Sequence, residues 1–329
     1  MIRIVFLDRD TLAPETVLRA PSFDAEVEFY GHTSADQVAE RLADADIAIT
    51  NKVPIGEAVL PASQSLRHVA IAATGYDVVD IEACRRHGVS VSNIRAYAND
   101  TVPEHTFALI LALRRSLVPY RQSVIDGRWE DAGAFCYFDY PIENLAGRRL
   151  GIIGDGALGR RVAQIGHAFG MEPVFSSYEG LDERQMQTLF NEDFGSPRYA
   201  SLEKVLRTSD VITLHCPLMP STRQMISDEQ FAMMEQRPLL INTARGGLVN
   251  EAALERALEA GQISGAGFDV VTTEPPGEGH VMHRIALRSN VIVTPHVAWA
   301  ARDAVQALAD QLMDNVEAFH AGKSRNLIS

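Results

Sequence analysis

Short apolar runs alternate with amphipathic stretches along most of the chain. In the first third, β-branched and aliphatic runs predict strands at residues 2–7, 26–30, 46–51, 68–74 and 89–94. Between them, apolar positions at helical spacing predict helices over 34–45 and 80–88, the second ending at Gly88 as helices commonly do. Strands separated by helices are typical of a parallel sheet that is covered on both faces.

The middle of the chain begins with a long apolar segment. Residues 99–127 predict one continuous helix, with Asp100 as its N-cap and a wide apolar face that suits a position between domains. Residues 128–149 lack a clean period and predict an irregular arm. The aromatic residues of this arm either pack internally or contact a second copy of the chain: Trp129, Phe135, Tyr137, Phe138 and Tyr140.

A second series of predicted strands follows the arm. It comprises residues 149–154, 172–177, 211–216, 239–244, 265–270 and 291–295, and a final helix covers 302–321. A chain of 329 residues is long enough for two cores. The pattern therefore predicts an α/β protein with two doubly wound parallel-sheet domains of Rossmann-like or flavodoxin-like type.

Charge and cysteine content exclude several classes of partner. The formal net charge is -13, which opposes binding to nucleic acid or to an anionic membrane, so a site for an anionic substrate must supply its own positive charge. No apolar run reaches the ~18 to 20 residues of a membrane helix, and a cytoplasmic protein is expected. Cys84, Cys136 and Cys216 lack CxxC spacing and histidine neighbours, so neither a disulfide framework nor a metal site is expected.

The stretch "GIIGDGALGRR" (151–161) has the glycine spacing of a dinucleotide-binding turn. It follows a predicted strand and opens a predicted helix, which is the context this motif requires. Gly154 permits the tight turn, Gly156 lets a pyrophosphate approach the backbone, and Gly159 allows the helix to pack closely on the strand.

The nature of the dinucleotide depends on the end of the next strand. About 20 residues after the turn, NAD-binding proteins carry an acid that holds the ribose 2′-hydroxyl. Here the sequence is "SSYEG", which places Ser176 and Ser177 at that point and Glu179 slightly beyond it. Because no basic pair follows, the first arginine being Arg184, NAD is expected, with NADP as the alternative.

Three late strands are each followed by an ionisable residue: Arg245, Glu274 and His296. Singly, each has an ordinary structural interpretation, as a turn, loop or post-strand residue. Together, at adjacent strand ends beside a nicotinamide site, they suit hydride transfer to a 2-keto acid. Arg245 would bind the substrate carboxylate, His296 would exchange a proton with the carbonyl oxygen, and Glu274 would fix the imidazole tautomer.

The ordered motifs "GDGALG", "CPLMPSTRQMI", "NTARGGLVNEAAL", "GFDVVTTEPP" and "TPHVAWA" resemble the D-isomer-specific 2-hydroxyacid dehydrogenases over nearly the whole chain. Within that family, "FCYFDYPIENLAGRRLGIIG" and "HVAWA" are most similar to the glycerate dehydrogenase, or hydroxypyruvate reductase, branch. The resemblance implies an NAD(P)-dependent dehydrogenase of a small D-2-hydroxy acid, with glycerate and hydroxypyruvate or glyoxylate favoured. It does not fix which acid is used.

The resemblance also assigns roles to individual residues. Arg245, Glu274 and His296 match the catalytic arginine, glutamate and histidine, and Asp269 matches the aspartate that holds the nicotinamide carboxamide. Further cofactor contacts are implied at Thr101, Gly154, Gly156, Ala157, Leu158, Gly159, Ser176, Ser177, Cys216, Pro217, Thr222, Thr243, Ala244 and His296. Substrate contacts are implied at Lys52, Val53, Thr74, Gly75, Tyr76 and Arg245.

The resemblance further implies a discontinuous substrate domain, residues 1–98 plus 296–329, with a dinucleotide domain, residues 99–295, inserted in it and the active-site cleft between them. A homodimer is expected.

The alternative from another functional class is a nicotinamide-sensing corepressor of the same fold. Formate dehydrogenase is disfavoured because that branch has glutamine at the position of Glu274, and phosphoglycerate dehydrogenases with a regulatory domain are disfavoured because the chain ends soon after His296.

Overall fold

The computed structural model describes residues 1–176 and 198–328, and the chain divides into two compact units. The first unit comprises Met1–Ala98 and Trp299–Ser329, and the second comprises Asn99–Ala298. The expected boundary before His296 therefore lies three residues too early. The reason is local, because the backbone N–H groups of Val297 and Ala298 donate to the carboxylate of Asp269 in the second unit.

The first unit is built on a parallel sheet. Its described elements are β1 (Ile2–Phe6), β2 (Ala25–Phe29), α1 (Val38–Leu42), β3 (Ile47–Thr50), β4 (His68–Ile71), α2 (Ile81–Arg86), β5 (Ser90–Ser92) and α11 (Arg302–His320). The strand order is β2-β1-β3-β4-β5. Every pairing is parallel, with Ile4 opposite Ile47 in the β1–β3 register.

Alternation along β1 explains how both faces of this sheet are covered. Ile4 and Phe6 point into the cluster that contains the apolar side of α11, whereas Val5 points into the opposite cluster with α1. All three side chains are fully buried. Successive residues of a strand face opposite sides, so a continuous apolar run requires a layer of helix on each face.

The second unit is built on a larger parallel sheet. Its described elements are α3 (Thr101–Arg114), α4 (Leu117–Ile125), α5 (Arg128–Ala132), β6 (Arg149–Ile153), α6 (Ala157–Ala168), β7 (Glu172–Ser176), β8 (Arg198–Tyr199), α7 (Leu202–Thr208), β9 (Val211–Leu214), α8 (Asp228–Ala232), β10 (Leu239–Asn242), α9 (Glu251–Glu259), β11 (Gly265–Phe268), α10 (Val281–Ile285) and β12 (Val291–Val293). Within the described residues the strand order is β12-β11-β10-β9-β6-β7-β8. The predicted fold class, two doubly wound parallel sheets, is confirmed.

The predicted continuous helix over 99–127 is wrong, because the structure has two helices there, α3 and α4. Ser116 stands between them in the left-handed region, with φ +48°. Pro119 gives the physical reason: it has no backbone N–H, which a continuous helix would need and the first turn of a new helix does not. Asp100 occupies the N-cap position of α3, but its carboxylate accepts from Arg161 Nε (3.1 Å) instead of from the helix backbone.

The arm over 128–149 is irregular after α5, as predicted. The side chains of Phe135 and Phe138 are 90% and 85% exposed. Tyr137 instead packs within the unit, where its hydroxyl hydrogen-bonds with that of Ser123 (2.6 Å). Internal packing therefore accounts for Tyr137, whereas the rings of Phe135 and Phe138 lie largely in solvent.

Candidate active site

The glycine turn joins β6 to α6. Gly154 has φ +105°, and a Cβ atom there would lie 2.6 Å from the carbonyl oxygen of His215. A Cβ atom on Gly159 would lie 2.1 Å from the carbonyl oxygen of Gly154, so helix and strand approach as closely as backbones permit. Around Gly156, by contrast, no described atom lies within 4 Å of the Cβ position. The N-terminus of α6 is thus open at the glycine where a pyrophosphate would approach.

Two other strand ends flank this turn. Ser176 ends β7, is 1% exposed, and its carbonyl accepts from the N–H of Gly154 (3.0 Å). Ser177, Glu179 and Arg184, on which the prediction of NAD rests, lie outside the described residues. After β9, the hydroxyl of Thr222 donates to Pro217 O and accepts from Met219 N–H, both at 2.7 Å. Thr222 is fully buried, and its hydroxyl shapes this turn.

Arg245 follows β10 in a turn organised by Asn242. The Asn242 side chain is fully buried; its Nδ2 donates to Arg245 O (2.9 Å), and its Oδ1 accepts from Ala244 N–H (3.1 Å). Gly246 then meets the loop after β11, since a Cβ atom on it would lie 2.0 Å from the carbonyl carbon of Val271. The sequence did not single out Asn242 or Gly246, although a glycine directly after the anchoring arginine is the signal of such a close approach.

Glu274 and His296 meet after β11 and β12. Glu274 Oε2 lies 2.6 Å from His296 Nδ1, in agreement with the predicted hydrogen bond, and Glu274 Oε1 accepts from Val271 N–H (3.0 Å). Their side chains are 34% and 24% exposed, so the pair remains accessible. Because Nδ1 faces the carboxylate, Nε2 is the ring nitrogen that can exchange a proton with a substrate.

The turn that carries His296 is held by Asp269. The Asp269 carboxylate is 1% exposed and accepts from Thr294 Oγ1 (2.5 Å), Val297 N–H (2.9 Å) and Ala298 N–H (2.8 Å). These contacts stabilise a backbone in which His296 has φ +55°. Asp269 therefore has a structural task beside the carboxamide contact that the resemblance implies.

Residues of α3 support the same turn. His105 Nε2 lies 3.0 Å from Thr294 Oγ1, and Thr101 Oγ1 donates to Ala298 O (3.0 Å). Of the other predicted cofactor residues, Thr243 is 9% exposed with its hydroxyl 3.1 Å from that of Thr106, and Cys216 is 3% exposed. His105 and Thr294 were not predicted as site residues, because nothing in their sequence spacing indicates that both side chains lie beside Asp269.

The residues predicted to bind substrate carboxylate lie after β3 and β4 of the first unit. Lys52 is exposed, and its backbone N–H donates to Asp8 Oδ2 (2.6 Å). Thr74 is exposed and its hydroxyl donates to Ile94 O (2.8 Å), while Tyr76 is 46% exposed. The sequence did not single out Asp8, because Asp8 comes after β1 whereas its partner Lys52 comes after β3.

Two absences concern the described part of the chain. Within residues 1–176 and 198–328, no group of three or more His, Cys, Asp or Glu side chains is arranged to hold a metal ion. No helix in those same ranges is both long and apolar enough to cross a membrane. The cysteines Cys84, Cys136 and Cys216 are free thiols.

Comparisons with known proteins agree with this geometry. The sequence model described as "D-isomer specific 2-hydroxyacid dehydrogenase, NAD binding domain" matches residues 107–298. The chain is 48% identical to a glycerate dehydrogenase of Methylorubrum extorquens, over 99% of this chain and 98% of that protein. It is 35% identical to a hydroxypyruvate reductase of Blautia hydrogenotrophica, over 90% and 89% of the two chains.

Solved structures also match over the whole chain. A NADPH-dependent glyoxylate/hydroxypyruvate reductase from Sinorhizobium meliloti, in complex with NADP and malonate, has a TM-score of 0.83 and 27% identity, covering 100% of this chain and 97% of that one. A D-lactate dehydrogenase from Aquifex aeolicus, complexed with NAD and lactic acid, has a TM-score of 0.76 and 27% identity, covering 97% and 96%.

Proposed function

Since the chain belongs to the D-isomer-specific 2-hydroxyacid dehydrogenase family, we propose that it interconverts hydroxypyruvate and D-glycerate and also reduces glyoxylate. It is a nicotinamide-dependent dehydrogenase of hydroxy and keto acids. The observation that carries the proposed chemistry is the 2.6 Å contact between Glu274 and His296 at adjacent strand ends. The 48% identity to a glycerate dehydrogenase supports the choice of substrate.

The proposed mechanism assigns one task to each side chain. Arg245 binds the carboxylate of the 2-keto acid and polarises its carbonyl group. His296 donates the proton on Nε2 to the carbonyl oxygen, and Glu274 holds the ring through Nδ1 and stabilises the imidazolium that precedes the transfer. The nicotinamide, when bound, supplies the hydride to the carbonyl carbon. In the reverse direction His296 Nε2 accepts the hydroxyl proton.

The cofactor is proposed to bind on the glycine turn of the second unit, with NAD favoured over NADP. The open space at Gly156 and the α6 N-terminus suit a pyrophosphate. The preference for NAD rests on Glu179 and on the absence of a basic pair in the sequence after Ser177. The similar solved structures include both an NADPH-dependent reductase and a dehydrogenase complexed with NAD.

The first unit is proposed to be the substrate domain. Lys52, Val53, Thr74, Gly75 and Tyr76 follow parallel strands at the end where ligands of such sheets bind. In this assignment, Lys52→Met raises the KM for the keto acid and leaves the affinity for the dinucleotide unchanged. An unchanged KM with a weakened dinucleotide would contradict the assignment.

A homodimer is proposed through the arm of residues 128–149. Phe135 and Phe138 expose two large aromatic rings, a pattern typical of a surface that a second chain covers. The double substitution Phe135→Ser, Phe138→Ser is expected to give monomers in sedimentation analysis, whereas the wild type sediments as a dimer. The three free thiols support a cytoplasmic location, which we also propose.

A substrate panel tests the function. Hydroxypyruvate, glyoxylate and pyruvate are supplied with either NADH or NADPH, and nicotinamide absorbance is followed. We expect turnover of hydroxypyruvate and glyoxylate, with NADH preferred. Tight binding of the cofactor without turnover of any 2-keto acid would contradict the proposal and favour the corepressor alternative.

A further inference from the structure

The loop of residues 272–280 carries Glu274, and both of its ends lie against one buried carboxylate. This carboxylate belongs to Glu251, the first residue of α9, which is 8% exposed. At the start of the loop, Thr272 N–H donates to Glu251 Oε1 (2.7 Å) and Thr272 Oγ1 donates to Oε2 (2.8 Å). At its end, His280 Nε2 lies 3.3 Å from Glu251 Oε2.

The hydrogen bonds fix the protonation pattern of these contacts. His280 Nδ1 accepts from Met282 N–H (3.3 Å), so the ring proton is on Nε2 and faces Glu251. Both oxygens of the Glu251 carboxylate therefore face donors. The carboxylate also stands in the first turn of α9, where the helix dipole favours a negative charge.

These anchors bear directly on Glu274, two residues after Thr272. The Glu274 side chain is 34% exposed, so burial does little to restrict it. On one side the backbone of Val271 and Thr272 is packed against Gly246, and on the other Thr272 is bonded to Glu251. Glu274 Oε1 also accepts from Val271 N–H (3.0 Å), so the backbone that holds this carboxylate directly is the segment that Gly246 and Glu251 anchor.

We propose that Glu251 and His280 are positioning residues for the Glu274–His296 pair: by closing the loop 272–280 they hold Glu274 Oε2 at hydrogen-bond distance from the His296 ring. Neither residue touches substrate or cofactor in this role. The inference rests on the proposed function, because it takes Glu274 and His296 as the pair that handles the proton. A purely structural role for Glu251 would instead join α9 to its neighbours without influencing Glu274.

A double-mutant cycle between Glu251→Gln and Glu274→Gln distinguishes these roles. We expect Glu251→Gln alone to lower kcat for keto acid reduction by about 10-fold, with the dissociation constant of the nicotinamide cofactor within about twofold of wild type. In the Glu274→Gln background, where the pair is already broken, adding Glu251→Gln should change kcat by less than about twofold. An equal loss in both backgrounds would overturn the proposal.

Matched variants keep the test decisive. Glu255→Gln makes the same change one turn along α9, where the carboxylate pairs with Arg284 (2.9 Å) away from the loop, and should leave kcat unchanged. Should Glu251→Gln fail to fold, Thr272→Val replaces it in the cycle, and Thr272→Ser, which keeps the hydroxyl, should restore kcat. If Thr272→Val lowers kcat regardless of Glu274, the proposal is wrong.

The cycle also separates this inference from the proposed function. A wild-type protein that reduces no 2-keto acid would contradict the function itself. A wild type that is active, is impaired by Glu274→Gln and shows no coupling to Glu251 would contradict the positioning role alone.

Discussion

The two parallel sheets of this chain differ most at the carboxyl end of their first strands. In each sheet that strand, β1 or β6, lies where the strand order reverses, the place where such folds bind ligands. After β1, the buried carboxylate of Asp8 accepts the backbone N–H groups of Asn51 (2.9 Å) and Lys52 (2.6 Å). After β6, the glycine turn leaves open space at Gly156.

The same sheet architecture thus has a different group at the carboxyl end of its first strand in each unit. In the first unit, N–H groups at the reversal point donate to an anion of the protein itself, whereas in the second the glycine turn has open space at Gly156, where a pyrophosphate is proposed to bind. Burial raises the pKa of Asp8 above its usual value, and the N–H donors around it counter that rise. Function therefore follows from the residues at the strand ends and not from the sheet.

The largest expected effect comes from the strand-end chemistry of the second unit. Replacing His296 by asparagine removes the proposed proton donor, and general acid catalysis contributes roughly 10²- to 10⁴-fold, so kcat for keto acid reduction should fall by about that factor. Cofactor affinity, measured by nicotinamide fluorescence, should change far less than kcat. Activity within tenfold of wild type would show that another group supplies the proton.

The openness of the glycine turn is tested by Gly156→Ala. No described atom lies near the new methyl group, and φ is -68° at this residue, so the melting temperature should stay that of wild type. The methyl would instead meet the pyrophosphate of a cofactor bound as proposed; crowding of this kind costs about 1 to 3 kcal/mol, or roughly 5- to 150-fold in cofactor affinity. As a contrast, Gly154→Ala should lower the melting temperature, because its methyl meets His215 O. If Gly156→Ala binds the cofactor as tightly as wild type does, the open space at Gly156 is not where the cofactor binds.

The role of the Asp8 carboxylate, at the carboxyl end of β1 in the first sheet, is tested by Asp8→Asn. The amide places an N–H₂ group where the carboxylate accepts backbone donors, and an unsatisfied buried donor should lower the free energy of unfolding by roughly 3 kcal/mol. Denaturant titration measures this, with Asp44→Asn, at an exposed aspartate, as control. Cofactor affinity should remain unchanged. An Asp8→Asn protein as stable as wild type would show that the backbone N–H groups of Asn51 and Lys52 do not depend on the Asp8 carboxylate.

His68 and His296 differ in their exposure to solvent. His68 on β4 of the first unit is fully buried between the hydroxyls of Ser90 (2.8 Å) and Ser92 (2.9 Å), and burial lowers its pKa to about 4. His296, in contrast, is accessible. The unfolded chain protonates His68 below its ordinary pKa of about 6.5 while the folded chain does not, so stability is full above that pH and falls towards pH 4.

Between pH 7 and pH 5 this linkage amounts to about 2 kcal/mol of the free energy of unfolding. His68→Gln should therefore show a smaller loss of stability over that interval than wild type does. The measurement is denaturant unfolding at both pH values. Identical pH dependence in the two proteins would show that His68 titrates normally in the folded state.

Periodicity was sufficient to predict the two series and every described strand except the two-residue β8, together with the residues at the strand ends. Arg245, Glu274 and His296 were found because parallel strands deliver their carboxyl ends to one edge. The contacts that Asp8, Asn242 and Glu251 make with the loops after the strands were not predicted, since their partners are distant or unmarked in the sequence. Burial can be inferred from an apolar period, but the partner of a buried polar side chain cannot.

The break between α3 and α4 has a different cause. The apolar face continues across Ser116, and the signal lies in Pro119 alone, which a pattern of hydrophobicity does not register. A local backbone rule therefore overrides the periodic signal at this point. The same applies to Gly246, because the absence of a side chain there lets the loop at Val271 approach, and a pattern of hydrophobicity does not register this.

If His296 carries the proton in both directions, the pH dependence of the wild-type enzyme will differ between reduction and oxidation. Keto acid reduction and hydroxy acid oxidation are measured across pH with saturating cofactor. Reduction should fall as pH rises, because His296 must hold a proton to donate, and oxidation should fall as pH falls, because His296 must be neutral to accept one. Profiles that fall on the same side in both directions would contradict the account.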